Sequence, residues 1–369
     1  MMIATVKSVH TAGVSLAVRP DLVVVGARGA HDRSDFLLVR VETSAGISGI
    51  GEVSATLSWS GEDAVTAEHV IRQVLAPAII GQPLVPVAAL QSRMDLALAG
   101  NPFTKAGMSI ALWDAYARTL DVPLAAALGG PFRTEVPIKC SLSGDGERLR
   151  RVHAAARAAG FASFKVKIGM DVDADSERVA LARGLAGPQT LLGLDANGGY
   201  SRRDAERALE RVRGHGPAFL EQPVEPGDLE GMRELRGRGL PIVADESVFG
   251  MGDLVHVVRA QACDVVSLYV GKSGGPEQAV AMGRVAEAFG VEVLIGSNGE
   301  LGVGAAAQLH VACALPRLCE DIPSDIIGAY YYDEDVLAAP LDSDGVRVRL
   351  PDAPGLGVEL QEDVRELLR

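Results

Sequence analysis

The chain has 369 residues, enough for two domains or one large capped barrel, and nearly half of them are apolar. Its net charge of −13 argues against a nucleic-acid partner, because nucleic-acid-binding proteins carry basic faces. No apolar run reaches the roughly 18 residues that a membrane span requires. The four cysteines lack metal-ligand spacing, so a cytoplasmic protein with reduced core thiols is expected.

The first third of the chain predicts antiparallel strands followed by helices. An early strand is expected around IATVKSVHTAG, and FLLVRVETSAGISGIGEV contains two apolar runs separated by the turn-forming SAG, which is typical of a hairpin. Residues 62–130 show helical periodicity, as in KAGMSIALWDAYARTL. The GGP sequence at 129–131 closes this part.

From about residue 136, short apolar runs alternate with charged amphipathic stretches. Each run ends at a polar residue, and these residues are Ser141, Lys167, Asp195, Glu221, Asp245, Tyr269, Ser297 and Asp321. Their successive spacings of 26, 28, 26, 24, 24, 28 and 24 residues favour parallel βα units, about eight of which close into a barrel. An open doubly wound sheet is the alternative, but no glycine-rich phosphate loop follows a first strand.

Three of these strand-end residues are acids on successive predicted strands. Asp195, Glu221 and Asp245 should face one another at the mouth of the barrel, where sites of this fold are built. Close carboxylates repel one another, and a divalent cation removes that penalty. Oxygen ligands without histidine or thiolate select a hard ion, so Mg²⁺ is predicted. The alternative is that each acid caps the helix that follows it.

Two lysines precede the acids by one strand. In the strand FKVKIG, alternation puts Lys165 and Lys167 on one face, although the whole chain has only six lysines. A lysine can lose its proton when it is desolvated or crowded by another cation, so Lys167 is predicted as a base whose pKa is lowered by Lys165. The alternative is a strand-end pair that extends to solvent. With Mg²⁺ on the substrate carboxylate, such a base removes the adjacent proton and yields an enediolate.

These motifs together resemble the enolase superfamily, in its muconate-lactonizing subgroup (the mandelate racemase/muconate lactonizing enzyme family). The matching sequences are KVK at 165–167, LDANGGY at 194–200, EQP at 221–223, ADES at 244–247, KSGG at 272–275, GSNGELG at 296–302 and the closing PGLG. The resemblance implies an α/β fold: a (β/α)7β TIM-like barrel over residues 131–330, an α+β capping domain over 1–130, and a C-terminal segment, 331–369, that returns to the cap.

The resemblance also implies the roles of individual residues. Mg²⁺, with Mn²⁺ as a substitute, would be held by Asp195, Glu221 and Asp245, and Lys167 would be the acid/base. Asn197 and Glu246 would support the metal ligands. Loops near residues 18–32 and 58–62 would close over the mouth, which makes Trp59 a candidate substrate contact or, equally, a loop-packing tryptophan. Relatives act on small carboxylates and assemble as homo-oligomers, from dimers to octamers.

One departure from the family pattern concerns the sixth strand. Racemases and epimerases of this subgroup usually carry a second lysine there, but Tyr269 stands at that position and Lys272, close by, aligns with a turn lysine. Tyr269 and Lys272 are both kept as candidate catalytic residues beside Lys165 and Lys167. A phenol is a reluctant base at neutral pH. The chain is therefore expected to be a cycloisomerase-like isomerase, with a racemase or epimerase less favoured. A syn β-elimination lyase is the alternative, and a Schiff-base aldolase or a non-catalytic metal-binding homologue are the other classes.

Further substrate contacts are expected after the seventh and eighth strands. Ser297 and Asp321 end those strands, and Glu300 is expected either to bind substrate or to support Tyr269 or Lys272. The tyrosines at 330–332 are expected at a surface or an interface.

Overall fold

The computed structural model of the protein describes residues 4–27 and 29–369. Residue 3 of the predicted first strand and residue 28 of the predicted capping loop lie outside the described residues. The cap begins with strands β1 (Val6–Ala17), β2 (Val24–Gly26), β3 (Gly29–His31), β4 (Arg33–Thr43) and β5 (Ser48–Ser54). Its helices are α1 (Leu57–Ser60), α2 (Ala64–Val70), α3 (Ala76–Ile79), α4 (Val87–Ala97), α5 (Pro102–Leu120) and α6 (Leu124–Ala127).

The antiparallel sheet of the cap has the strand order β1-β4-β5. The predicted hairpin is confirmed, because Phe36 pairs with Ser54 and Glu42 with Ser48 across the SAG turn. Strands β2 and β3 form a separate small hairpin. Helix α5 packs on β5 so closely that a Cβ at Gly51 would lie 2.0 Å from the carbonyl oxygen of Gly107. Glycine is therefore required where this helix crosses the sheet.

The predicted TIM-like α/β barrel is confirmed. After β6 (Glu135–Pro137), its parallel strands are β7 (Cys140–Leu142), β8 (Ser163–Lys167), β9 (Leu191–Asp195), β10 (Leu220–Glu221), β11 (Ile242–Ala244), β12 (Val265–Leu268) and β13 (Glu292–Ile295). The helices are α7 (Gly146–Ala158), α8 (Val172–Ala186), α9 (Arg202–Val212), α10 (Leu229–Arg236), α11 (Met251–Arg259), α12 (Val270–Ser273), α13 (Pro276–Ala288) and α14 (Gly302–Ala314). Strand neighbours follow chain order, as repeated βα units require.

The eighth position of the barrel is filled by a short irregular segment. Ser324 forms a parallel bridge with Ile138, and the backbone N–H of Asp325 donates to the carbonyl of Ile295 at 2.7 Å. Residues 323–325 thus join the last strand to the first and close the barrel. The prediction that Asp321 ends this strand is wrong, because the strand-end position belongs to Asp325.

The barrel interior is packed below the mouth, as in a core and not a pore. Phe219, Val243, Val265, Leu294, Cys319 and Ile322 form one buried apolar layer there. A Cβ at Gly193 would come within 2.0 Å of the Phe219 ring, so the smallest residue is needed beside the largest. All four cysteines are free and buried. Within the described residues, no helix is both long and apolar enough to span a membrane.

The tail contains β14 (Arg347–Arg349) and α15 (Glu362–Leu367). Strand β14 pairs with β6 at the start of the barrel, whereas later residues contact the cap. The N–H of Leu124 donates to Gly355 O at 2.7 Å, and the N–H of Leu356 donates to the buried carboxylate of Asp114 at the same distance. The tail therefore contacts both the barrel and the helices of the cap.

Helix α14 is buried along its whole length, and its single histidine connects it to two neighbouring elements. His310 Nδ1 accepts the N–H of Ala125, and Nε2 donates to Leu356 O, each at 3.0 Å. The ring is therefore neutral with its proton on Nε2, and it joins the barrel helix to both the cap and the tail. Burial lowers the pKa of His310 to about 4.

We expect this histidine to make the fold acid-sensitive. The folded state excludes the proton that the unfolded chain binds near pH 6.5, so stability is complete above pH 6.5 and falls between pH 6.5 and 4. The loss approaches ~3 kcal/mol at about 1.4 kcal/mol per pH unit. Urea unfolding of the wild type and His310→Gln at pH 7.5 and 5.0 should show the wild-type advantage shrinking by about 2 kcal/mol. Equal pH dependence in both proteins would contradict this assignment.

Candidate active site

A cavity of about 200 Å³ lies at the mouth of the barrel, between the strand ends and the cap. The barrel contributes Ser141, Lys165, Lys167, Asn197, Asp245, Tyr269, Ser297, Asn298, Gly299 and Asp325 to its wall. The cap contributes Val18, Val24, Gly26, Gly29, Ala30, His31, Thr56, Ser58 and Trp59, and residues 327, 331 and 332 complete it. Described parts of both predicted capping loops thus reach the mouth.

Strand register brings the two lysines of β8 to the first acid. Lys167 pairs with Asp195 across β8 and β9, and Glu221 pairs with Asp195 on the other side. Lys167 Nζ donates to Asp195 Oδ2 at 2.7 Å and to Asn197 Oδ1 at 2.9 Å. Lys165 Nζ lies 3.3 Å from the same Asp195 oxygen, so both amines point into one space.

Lys165 is the more deeply embedded of the two. Its Nζ donates to both Glu221 oxygens, at 3.0 and 3.1 Å, and to Asp325 Oδ2 at 3.2 Å. Burial alone would lower the pKa of Lys165, but the surrounding carboxylates, first of all Asp325, raise it well above its ordinary value. Lys165 is therefore a permanent cation in this arrangement, whereas Lys167 is the lysine with a side chain 12% exposed toward the cavity.

A further lysine lies beneath this cluster. Lys139 is fully buried, and its Nζ donates to Asp325 Oδ2 at 2.9 Å and lies 5.7 Å from the centre of the Phe219 ring. Burial opposes ionisation of Asp325, but the ammonium groups of Lys139 and Lys165 lower the pKa of this carboxyl. Asp325 therefore remains charged and links the two buried lysines.

The third predicted metal ligand, Asp245, is held by two side chains of the sixth strand end. Lys272 Nζ donates to Asp245 Oδ1 at 2.5 Å, to Asp245 O at 2.8 Å and to Ser267 O at 3.0 Å. Tyr269 Oη donates to Asp245 Oδ2 at 2.9 Å. All three ammonium protons of Lys272 are thus used. Lys272 does not line the cavity, so it is not placed as a catalytic acid or base.

The Trp59 ring of the cap covers the Tyr269 phenol. Trp59 stacks on Tyr269 with ring centroids 5.5 Å apart and 17° between the planes, and it also packs against Phe249 and Phe103. The Trp59 indole N–H lies 3.5 Å from Glu246 Oε1, which also accepts the Asn197 amide at 3.0 Å. Trp59 therefore packs the loop and also lines the cavity, so its contact with substrate stays a prediction.

Burial acts unequally on the carboxyl groups of this cluster, and it disfavours the charged form most clearly at Glu221 and Glu246. Burial raises the pKa of Glu221 to about 8, helped by Asp195 and Asp245 and only partly offset by Lys165. Burial likewise raises the pKa of Glu246 to about 7, with Asp245 adding to it. At Asp195 burial acts in the same direction, but Lys167 and Lys165 outweigh it and the pKa falls well below its ordinary value. The lysines thus offset the effect of burial on the pKa of Asp195 but not on that of Glu221 or Glu246.

The chemistry of the donor set fits a divalent cation, although the side chains are not arranged around one. Asp195, Glu221 and Asp245 are buried, purely oxygen donors and on adjacent strand ends, which suits a hard ion. As they lie, no three acid, histidine or cysteine side chains of residues 4–27 and 29–369 form a group that could hold a metal. In this arrangement the oxygens of these acids contact Lys165, Lys167, Lys272 and Tyr269 instead.

Other predicted substrate contacts separate into two groups. Ser297 lines the cavity, but Glu300 does not; it is buried behind Ser297, whose Oγ donates to Glu300 Oε2 at 2.5 Å. Glu300 thus positions Ser297 and the neighbouring Asn298 backbone. The placement of Asp321 at the mouth is wrong. It lies beside Glu292 and Val265, which start their strands, at the opposite end of the barrel.

Three further residues of the cavity wall were not predicted as substrate contacts. His31, Tyr331 and Tyr332 line the cavity, so the expectation that the tyrosines lie at a surface or an interface is wrong for the last two. Tyr332 is 5% exposed. Lys139 stands out in the sequence as one of only six lysines, but its partner Asp325 is 186 residues away along the chain.

Known proteins are similar to this chain in sequence and in fold. Residues 147–364 match the family described as "Enolase C-terminal domain-like", and residues 8–129 match "Mandelate racemase / muconate lactonizing enzyme, N-terminal domain". The chain belongs to the mandelate racemase/muconate lactonizing enzyme family of the enolase superfamily. Enzymes of this family depend on a metal ion.

Named relatives of this family member are isomerases. The chain is 29% identical to N-succinyl-L-Arg/Lys racemase of Bacillus cereus over 98% of its length and 97% of the relative's. It is 32% identical to muconate cycloisomerase 1 of Rhodococcus opacus over 89% of each chain. The structure of muconate lactonizing enzyme from Pseudomonas fluorescens, complexed with muconolactone, superposes with a TM-score of 0.93 at 28% identity, covering both chains completely. The chain is thus an enolase-superfamily enzyme of the isomerase type.

Proposed function

We propose that this family member is a Mg²⁺-dependent isomerase that removes or delivers the proton next to the carboxylate of a small substrate, through an enediolate. Asp195, Glu221 and Asp245 would hold the ion, and Mn²⁺ would substitute for it. When bound, the ion stabilises the negative charge that develops on the substrate carboxylate. In this proposal residues 1–130 and 331–369 form the cap of a barrel spanning 131–330, and the protein is a cytoplasmic homo-oligomer.

The observation that carries the proposal is the position of Lys167. Its amine contacts Asp195 and Asn197 and its side chain lines the cavity. The more buried Lys165 donates its hydrogen bonds to the carboxylates of Glu221 and Asp325. A base must be within hydrogen-bond reach of the proton that it abstracts, and Lys167 is the barrel lysine best placed for this. Lys165 then contributes a fixed positive charge beside the base. Asn197 orients the Lys167 amine by accepting a hydrogen bond from it.

The cavity wall opposite Lys167 supports proton transfer on only one face of the substrate carbon. Tyr269 replaces the second lysine, its proton is donated to Asp245, and burial raises its pKa well above the ordinary value for a phenol. Cycloisomerisation needs only one acid/base, so a cycloisomerase-like reaction is favoured over racemisation or epimerisation. A syn β-elimination from a hydroxy acid is the second candidate, since a single lysine can remove the proton and protonate the leaving group.

The proposal is tested by proton exchange in deuterated water. Muconates, acid sugars, N-acyl amino acids, dipeptides and hydroxyprolines are incubated with the enzyme and Mg²⁺, and NMR reports deuterium entering next to the carboxylate. We expect exchange with at least one class and its loss in EDTA, with recovery on adding Mg²⁺ or Mn²⁺. Exchange that persists in EDTA would contradict the metal-dependent mechanism.

Replacement of the tyrosine should have a small effect. We expect Tyr269→Phe to lower the exchange rate less than about tenfold, because it removes one hydrogen bond to Asp245 and no acid/base. The measurement is the exchange rate under the same conditions, with each substrate enantiomer tested separately. A fall of several orders of magnitude would identify the phenol as a second acid/base and would favour two-sided chemistry.

A further inference from the structure

A chain of hydrogen bonds at the cap side of the cavity fixes the tautomer of a histidine. Tyr332 Oη donates to Gly299 O at 3.0 Å, which uses its only proton. Ser34 Oγ lies 2.7 Å from the same phenol oxygen, so the serine must donate to it. His31 Nε2 lies 2.6 Å from Ser34 Oγ, whose own proton is already used, so Nε2 carries the proton and donates.

The other ring nitrogen, Nδ1, is consequently left as a lone-pair acceptor. It has no hydrogen-bond partner within the described parts of the chain, and His31 lines the cavity. Burial lowers the pKa of His31, opposed only in part by Asp32, which favours the neutral ring. A bound molecule that reaches Nδ1 thus meets a hydrogen-bond acceptor and not a donor.

The residues that hold His31 in place are buried and packed. Ser34 and Tyr332 are buried, and Tyr332 is packed edge-on against Phe36 with ring centroids 5.5 Å apart. Val18 forms a backbone bridge with Tyr332 and lines the same part of the wall. Gly299 has φ +78°, and a Cβ there would lie 3.1 Å from Tyr332 Oη. A larger residue would therefore strain the backbone and crowd the phenol.

We propose that His31 determines specificity by accepting a hydrogen bond from an N–H or O–H group of the substrate. This inference rests on the proposed function, in which the substrate carboxylate lies at the Lys167 end of the same cavity. It keeps the one-sided reaction but narrows its substrate to an acid that carries an N–H or O–H group, which muconate does not. A substrate with an amide or a hydroxyl group satisfies the Nδ1 lone pair. A second carboxylate, as in muconate, would place its own lone pairs against it and leave both unsatisfied.

Two substitutions separate the two ring nitrogens. The amide of asparagine stands where Nδ1 stands, so His31→Asn keeps an acceptor and loses the bond to Ser34. The amide of glutamine reaches the Nε2 position, so His31→Gln keeps the bond to Ser34 and loses the acceptor. A third variant, Ser34→Ala, leaves the ring but no longer fixes its tautomer.

The probes are N-acetylphenylalanine and its ester analogue O-acetyl-3-phenyllactate, which differ by one N–H, with cis,cis-muconate as a donor-free dianion. Dissociation constants are measured by calorimetry with Mg²⁺ present, so the readout is binding and does not depend on turnover. We expect the wild type to bind the amide about fivefold more tightly than the ester, as one hydrogen bond predicts. His31→Asn should retain that preference, His31→Gln should lose it, and Ser34→Ala should reduce it.

Equal binding of amide and ester by the wild type, or equal preferences in His31→Asn and His31→Gln, would overturn the proposal, as would tightest binding of muconate. Such a result would leave the proposed function intact if Mg²⁺-dependent proton exchange is still observed. Absence of exchange with an intact amide preference would instead count against the proposed function alone.

Discussion

Replacing Lys167 with alanine should abolish proton exchange next to the substrate carboxylate, with a loss of roughly 10²–10⁴-fold, the range that a positioned general acid/base supplies. The physical reason is that the other lysines of the barrel interior are already committed. Lys165 and Lys139 contact Asp325, and Lys272 contacts Asp245, so none can replace the missing base. NMR in deuterated water measures the exchange directly.

The matched control is Lys167→Arg. Arginine keeps the positive charge beside Asp195 but cannot give up its proton in a protein. If Lys167 transfers a proton, both variants lose exchange to a similar extent while still binding Mg²⁺ in a calorimetric titration. Substantial exchange by the arginine variant would show that the side chain acts only through its charge.

Replacing Lys272 with methionine should destabilise the fold by about 3–5 kcal/mol, as expected when one partner of a buried ion pair is removed. The ammonium group has a side-chain exposure of 1% and makes three hydrogen bonds, two of them to Asp245 and one to the Ser267 carbonyl. Without the ammonium group, the buried carboxylate of Asp245 loses its ion pair and keeps the hydrogen bond from Tyr269. Urea unfolding in EDTA measures the loss without a contribution from bound metal.

Lys7→Met is the control for this substitution. Lys7 is 66% exposed and lies 3.6 Å from Glu42, so its removal should cost at most about 1 kcal/mol. A similar small loss for both variants would show that Asp245 is not stabilised by the buried lysine. A large loss at Lys272 that added Mg²⁺ partly restores would indicate that the ion and the lysine neutralise the same carboxylate.

The sequence predicted the barrel because its strand-end residues recur at a nearly constant interval. The same interval failed at the last strand, where PRLCEDIPSDI offers three acids and no regular apolar run. The barrel closes there through the irregular segment 323–325, so Asp325 and not Asp321 occupies the mouth. This segment makes three backbone hydrogen bonds with the neighbouring strands. It is too short to show a hydrophobic period, so its end cannot be located from the sequence.

The acids and Lys167 could be proposed from sequence because each stands at a strand end. The groups that hold them could not, because their partners are distant in the chain: Lys139 meets Asp325 186 residues later, and Ser34 meets Tyr332 298 residues later. Lys272 was recognised as a turn lysine, but that its three protons are used on Asp245 and Ser267 follows only from the packed geometry.

The proposed function depends on three carboxylates at the barrel mouth, those of Asp195, Glu221 and Asp245, holding one divalent cation. A crystal soaked in Mn²⁺ and measured at the manganese absorption edge tests it directly. We expect a single strong anomalous peak in the cavity, within about 2.0–2.3 Å of oxygen atoms of Asp195, Glu221 and Asp245, with the Tyr269 hydroxyl released from Asp245. An anomalous peak elsewhere, or none at saturating Mn²⁺, would contradict the account.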